Sequence, residues 1–277
     1  MNTLKRLILS LTFFSLIISP GKAQNTCGTV ISNAQYQNEL NWINHKPTIN
    51  TPAMINQTLE ITAYITGGDS LYVNIINKAL DSVNIYFAPI GLSFKLCEYY
   101  LIKDHTYDTI SNSVLENEVR IKFNTPNTIN IYFVNDLSAN GSDVCGYTYM
   151  PLDNRNYMLL KRACTIGFSI THELGHFFGL YHTSETKFGN ELVNESNCKT
   201  AGDLMCSTPA DPGLSASNVS ADCSYTGSLV DANNQYYIPS VSDFMSLASF
   251  LGCGCYFTNE QYAKMKLNYY LFKTNLR

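Results

Sequence analysis

Residues 172 to 182 read His172-Glu173-Leu174-Gly175-His176-Phe177-Phe178-Gly179-Leu180-Tyr181-His182, and no other segment restricts the fold as much. On a helix, residues four apart share a face, so His172 and His176 present two imidazoles to one ion. Glu173 sits one step round, where its carboxylate reaches a metal-activated water rather than the metal. Gly179 accepts a left-handed conformation that a β-carbon resists, so the chain turns there and His182 returns as a third ligand. Three neutral nitrogens and one open position form a tetrahedral site suited to zinc. In that setting Glu173 is placed as general base for hydrolysis. Three of the chain's five histidines fall in this segment. A reading as ordinary core histidines leaves their spacing unexplained. His45 and His105 have no such company and are expected to be surface or structural residues.

The first residues describe a destination. Lys5 and Arg6 precede an apolar run from Leu7 to Ile18, followed by Pro20, Gly21 and Ala23. That order is a secretory signal peptide over residues 1–23, with an apolar run too short to span a bilayer. No later segment is long and apolar enough to cross a membrane, so a soluble, secreted chain without a stable membrane anchor is expected. All nine cysteines lie beyond the cleavage point, which fits an oxidising compartment. An odd count leaves at least one thiol without an intramolecular partner. The net charge of −4 and the absence of a Lys/Arg run argue against nucleic acid as a partner.

Residues 24–58, rich in Asn, Gln, Thr and Pro, read as a loosely structured leader or pro-segment, and 59–277 as the catalytic domain. Leu59 to Ile65 alternates as a strand. Gly67-Gly68-Asp69-Ser70 then offers a turn and a helix N-cap. Val73, Ile76, Leu80, Val83 and Phe87 form one buried helix face, ended by Pro89 and Gly91. Leu92 to Leu96 alternates as the next strand, and Arg120 to Phe123 and Ile129 to Val134 are further strand candidates. Asn135 to Asp143 reads as a polar loop before Val144 to Tyr149. Helical spacing returns from Ala163 to Phe178. Residues 183 to 240 show little periodicity, and the four cysteines between Cys198 and Cys253 suggest that this stretch is stapled. Thr258 and Gln261 form a capping box that opens a last helix to about Phe272.

The zinc-site spacing is the signature that marks the metzincin clan of zinc peptidases, which this chain resembles. Asp243-Phe244-Met245-Ser246 looks like that clan's Met-turn, with Met245 beneath the metal. His182-Thr183 and the stretch from Ala201 to Pro209 resemble the pappalysin family within the clan. The resemblance implies an α+β, two-lobe catalytic domain. A twisted mixed sheet and the active-site helix lie above a cleft, with an irregular, disulfide-stapled lobe below. It implies that the Ile129 to Val134 strand, with the loop after it, lines the substrate groove, and that proteins or peptides are the substrates. Cys27-Gly28-Thr29 resembles the pappalysin pro-segment, whose cysteine thiolate occupies the metal's open position and keeps the zymogen latent. A Cys27 paired with another cysteine is the alternative. The other eight cysteines suffice for four disulfides, in any of 105 connectivities.

Three departures limit the transfer. Where the family carries Tyr after the Met-turn, this chain has Leu247. The acidic residues that would favour Arg or Lys after the scissile bond are absent from Ser246 to Gly252, so an apolar or relaxed preference is expected. Ser207 replaces the Asp of the family's Asp-Thr-Pro stretch, which leaves Asp203, Thr208 and Asp211 as candidate calcium ligands. Two other readings remain at this point. One is a secreted zinc-containing binding protein that keeps the fold, which Leu247 favours and Glu173 opposes. The other is a zinc hydrolase acting on something other than peptides.

Overall fold

The computed structural model describes residues 26–45, 52–67, 72–153, 155–165 and 167–277. The signal-peptide segment and the cap at Asp69-Ser70 lie outside them. Among the described residues no helix is long and apolar enough to cross a membrane.

The leader is more ordered than expected, because Asn33–His45 forms helix α1. Its N-terminal side is seated by apolar contact. Tyr36 packs on Phe188 with ring centroids 5.3 Å apart, and Ile31 joins Met150 and Tyr181 in a small cluster.

The core is built on a five-stranded sheet. Strand β1 (Gln57–Thr66) leads into helix α2 (Tyr72–Phe87) and then strand β2 (Leu92–Ile102). Ile76, Ala79, Leu80, Val83 and Phe87 bury the predicted face of α2. Pro89 and Gly91, the latter at φ +72°, end it. A short strand β3 (Thr109–Ile110) precedes helix α3 (Ser113–Lys122). This corrects the strand expected at Arg120 to Phe123, which is the last turn of α3 and the residue after it. The Asn112 side chain caps the helix by accepting from the amides of Val114 and Leu115.

Strand β4 (Ile129–Val134) follows, then β5 (Asp136–Ala139), β6 (Ser142–Asp143), β7 (Gly146–Thr148) and β8 (Tyr157–Lys161). The expected loop at 135–143 therefore contains a hairpin. Asn140 (φ 51°) and Gly141 (φ 77°) supply the two left-handed residues that a tight β5–β6 turn requires. The main sheet runs β2-β1-β4-β8-β7, parallel except for β7, which pairs antiparallel with β8. Parallel strands in the interior need cover on both faces. Leu59, Ile61, Ile131 and Phe133 pack toward α2 and toward helix α4 (Gly167–Phe177), while Tyr64, Tyr132 and Val134 pack with Val119 on the opposite face.

Beyond α4 the chain is irregular until helix α5 (Asn259–Asn268). The Thr258–Gln261 capping box is present, and a wider helical turn extends α5 through Tyr269–Lys273. Cys198–Cys206 and Cys223–Cys253 staple the irregular region, and Cys145–Cys164 ties the start of β7 to the approach to α4. The fold is thus α+β with a mixed sheet and three disulfides rather than four. Cys97 and Cys255 are exposed and unpaired alongside Cys27. Cys97 stands on the edge strand β2, beside Glu60 and Lys95, where no second cysteine reaches it.

Candidate metal centre

Helix α4 ends in a hydrogen-bonded reversal that the sequence signals at Gly179. The Gly179 amide donates to the His176 carbonyl at 2.8 Å and the Leu180 amide to the Gly175 carbonyl at 2.9 Å, with Gly179 at φ +91°. That pair is the Schellman closure of a helix C-terminus. Asn268 of α5 donates from Nδ2 to the Phe178 carbonyl at 2.8 Å, so the last turn is held from outside as well. The reversal brings His182 back over the helix.

The three imidazoles meet through their Nε2 atoms, which are 3.1 Å apart for His172–His176, 3.1 Å for His176–His182 and 3.2 Å for His172–His182. His172 Nδ1 donates to the Phe244 carbonyl at 2.6 Å and His176 Nδ1 to the Leu180 carbonyl at 2.8 Å. Carbonyls only accept, so each Nδ1 carries the proton and each Nε2 turns a lone pair inward. Burial also favours neutral rings. It holds His172 and His176 well below the usual imidazole range and takes His182 down to about 4. The Nε2 lone pairs of His172 and His176 converge with no proton between them, and repel unless a cation is near; with the neutral His182 ring they form a donor set that fits a zinc ion.

Glu173 is fully buried beside them. Burial pushes its carboxyl up to about 8, against the polar influence of Cys27 and Thr29. Its Oε1 has no hydrogen-bond partner among the described residues. The strand bordering this carboxylate is β7. A β-carbon on Gly146 would lie 2.6 Å from Leu160 and 3.1 Å from Glu173 Oε1, so glycine lets the strand pass close over α4. This corrects the expectation that Ile129 to Val134 lines the groove: β4 is an interior strand, and its six residues are all buried.

Cys27 arrives from the leader and places Sγ 3.5 Å from His176 Nε2. Its sulfur and the three histidines offer four ligand atoms within 4.8 Å of one another. Met245 is fully buried beneath α4, and its amide donates to Asp243 Oδ1 at 2.7 Å. Ser249 and Phe250 also touch His172, through a 3.1 Å contact to Nδ1 and a ring contact at 4.6 Å. No sequence pattern had marked either.

The calcium candidates separate. The Thr208 hydroxyl bonds the Asp203 carboxylate at 2.9 Å, whereas Asp211 accepts from the Thr183 hydroxyl at 2.6 Å. Glu191, which sequence reasoning missed, is buried near both with neither oxygen hydrogen-bonded among the described residues. Burial and the charges of Asp203, Glu195 and Asp211 raise it to about 8. Of the remaining histidines, His105 is exposed and paired with Asp108 at 2.7 Å. The side chain of His45 lies outside the described residues.

Residues 111–269, more than half of the chain, match the model of peptidase family M43, described as pregnancy-associated plasma protein-A. The chain belongs to this family. As a member of peptidase family M43 it is a metalloprotease. Similar sequences include an extracellular metalloprotease of Arthroderma gypseum, 24% identical over 88% of this chain and 84% of that protein. Another, from Sordaria macrospora, is 26% identical over 58% of each. The relatives are extracellular, and three disulfides suit the same location. Among solved structures, archaemetzincin from Methanopyrus kandleri overlaps 76% of this chain and 95% of its own, at 13% identity and a TM-score of 0.42. The Cys27 segment, β1, α2 and β2 precede the residues matched to the M43 family.

Proposed function

We propose that this family member is a secreted zinc endopeptidase that hydrolyses internal peptide bonds, with His172, His176 and His182 as metal ligands and Glu173 as general base. The observation that carries this reading is the convergence of three neutral Nε2 atoms beside a buried carboxylate. Zinc bound there supplies Lewis acidity toward water and toward a peptide carbonyl. The protein's own part begins with the Phe244 and Leu180 carbonyls, which fix the tautomers of His172 and His176. Glu173 takes a proton from the attacking water and passes it to the leaving amine. The edge strand β7 offers backbone groups on which an extended peptide docks as an added strand.

The same reading takes Met245 as the Met-turn methionine, residues 1–23 as signal peptide, 24–58 as pro-segment and 59–277 as a two-lobe metzincin-like domain. Cys27 is the latch, its sulfur lying against the ligand face. Calcium is a second, narrower proposal. The unpartnered Glu191 carboxylate beside Asp203 and Asp211 favours a divalent cation there, with Asp203, Thr208 and Asp211 contributing.

Digestion of a mixed peptide library by chain freed of its pro-segment, read by mass spectrometry, tests the function. Internal cleavage that stops on chelation, returns with zinc and shows no enrichment of Arg or Lys after the cut is expected. No cleavage by zinc-loaded protein would overturn it.

A further inference from the structure

Residues 26–29 lie along β7 as an extra strand. The Cys145 amide donates to the Thr26 carbonyl at 2.7 Å, the Gly28 amide donates to the Gly146 carbonyl at 2.8 Å, and Cys27 bridges Gly146 in parallel. The approach is close. A β-carbon on Gly28 would fall 2.7 Å from that of Ala139 and 3.2 Å from Val144 Cγ2, so only glycine fits without displacing the strand. That spacing sends Cys27 toward the histidines and delivers Thr29, 6% exposed, to the other half of the site.

The Thr29 hydroxyl meets three groups there. It accepts from the Thr148 amide at 3.0 Å, and lies 3.3 Å from Glu173 Oε2 and 3.4 Å from the Thr148 carbonyl. The amide fixes the oxygen, which leaves one lone pair and the single hydroxyl proton, shared between Glu173 Oε2 and the Thr148 carbonyl. The hydroxyl can donate to a carboxylate or accept from a carboxyl, so the contact survives either protonation state. Replacing it by a methyl group of the same shape would leave a buried amide and a buried carboxyl oxygen without this partner.

We propose that latency in this chain has two arms, with Cys27 covering the metal ligands and Thr29 engaging the general base. The inference rests on the reading of Cys27 as latch and Glu173 as base. On this account, removing the thiol alone leaves Glu173 held and the groove along β7 filled. Both arms must go before the ligand face and Glu173 are free in an uncut chain, and the backbone of residues 26–29 still lies along β7 until it is cut away.

Zinc-loaded, unprocessed chains carrying C27A, T29V, both changes, or C27A with T29S test this against processed enzyme. Each chain's intactness is checked by mass, and its folding by its melting temperature. Hydrolysis of a peptide substrate is the readout. C27A should be partly active and C27A/T29V roughly tenfold more so, the size expected for one buried hydrogen bond to an ionisable group. C27A/T29S, which restores the hydroxyl, should stay at the C27A level. A double variant no more active than an active C27A would remove the second arm and leave the cysteine latch standing. Silence of C27A and of the double variant alike, with processed enzyme active, would remove the latch reading itself. An inactive processed enzyme would strike the proposed function.

Discussion

The sulfur of Met245 fills the space that a β-carbon on Gly175 would need. Gly175 lies on α4 three residues after His172 and directly before His176, so it borders the face that carries the first ligand. The methionine loop is therefore pressed against the flank of the ligand face. Thr183, which follows the third histidine, donates its amide to the Met245 carbonyl at 3.1 Å and ties the same loop to His182. Ala ordinarily stabilises a helix interior over Gly by about 1 kcal/mol. Gly175→Ala should do the opposite, lowering stability by roughly 1–3 kcal/mol through overpacking, and should hold zinc less tightly. Urea unfolding and competition with a zinc chelator measure the two effects. A variant as stable as the parent would contradict this packing.

Gln261 joins α5 to that loop with both ends of its amide. Its Oε1 accepts from the Thr258 amide at 2.7 Å, and its Nε2 donates to Asp243 Oδ1 at 3.0 Å. Burial raises Asp243 to about 6, with Gln261 holding it lower than burial alone would. Gln261→Glu keeps the cap but sets a second acceptor against Asp243. It should cost stability by about 1–3 kcal/mol, as much as Gln261→Ala. A Gln261→Glu melting temperature equal to the parent's would show that the cap alone matters.

What sequence could reveal of this site follows from how local each cause is. The histidine spacing, the Gly179 turn and the Thr258–Gln261 cap are patterns within one helix length, and all three are present as read. Arg120 to Phe123 alternates like a strand because a helix end and a strand look alike over four residues, while the cap that decides between them, Asn112, lies eight residues upstream. The hairpin at Asn140-Gly141 was hidden in a polar stretch. Thr29 and Glu173 meet across a separation of 144 residues, and no local pattern encodes such a contact. The same holds for Glu191, whose meaning depends on the acids folded around it.

Lys273 gives a pH signature. It is fully buried, 4.0 Å above the Phe177 ring, with Nζ bonded to Asn156 Oδ1 at 2.8 Å. Burial takes it down to about 7, against the pull of Asp153. Between about 7 and the ordinary value of 10.5 the unfolded chain binds the extra proton, so stability from this group rises with pH across that window. Below about 7 its cost is fully present. The melting temperature of Lys273→Met relative to the parent should be higher by several degrees at pH 6, and the gap should narrow steadily as pH rises toward the ordinary lysine value of 10.5. A gap that does not change with pH would show that Lys273 is not the titrating group.

Calcium should raise the melting temperature of the parent by several degrees at millimolar concentration, and EGTA should reverse the gain. Glu191→Gln should lose that response while gaining stability in EGTA, because one buried acid is removed from beside Asp203 and Asp211. An unchanged calcium response in Glu191→Gln would place the cation elsewhere.

The central claim is that the histidines hold zinc and Glu173 performs the proton transfers. Processed Glu173→Ala, assayed for zinc content and peptide hydrolysis in the same preparation, tests it most directly. About one zinc per chain should remain, with turnover reduced by roughly 10²–10⁴-fold. Parent-level hydrolysis with zinc bound would contradict the assignment of Glu173.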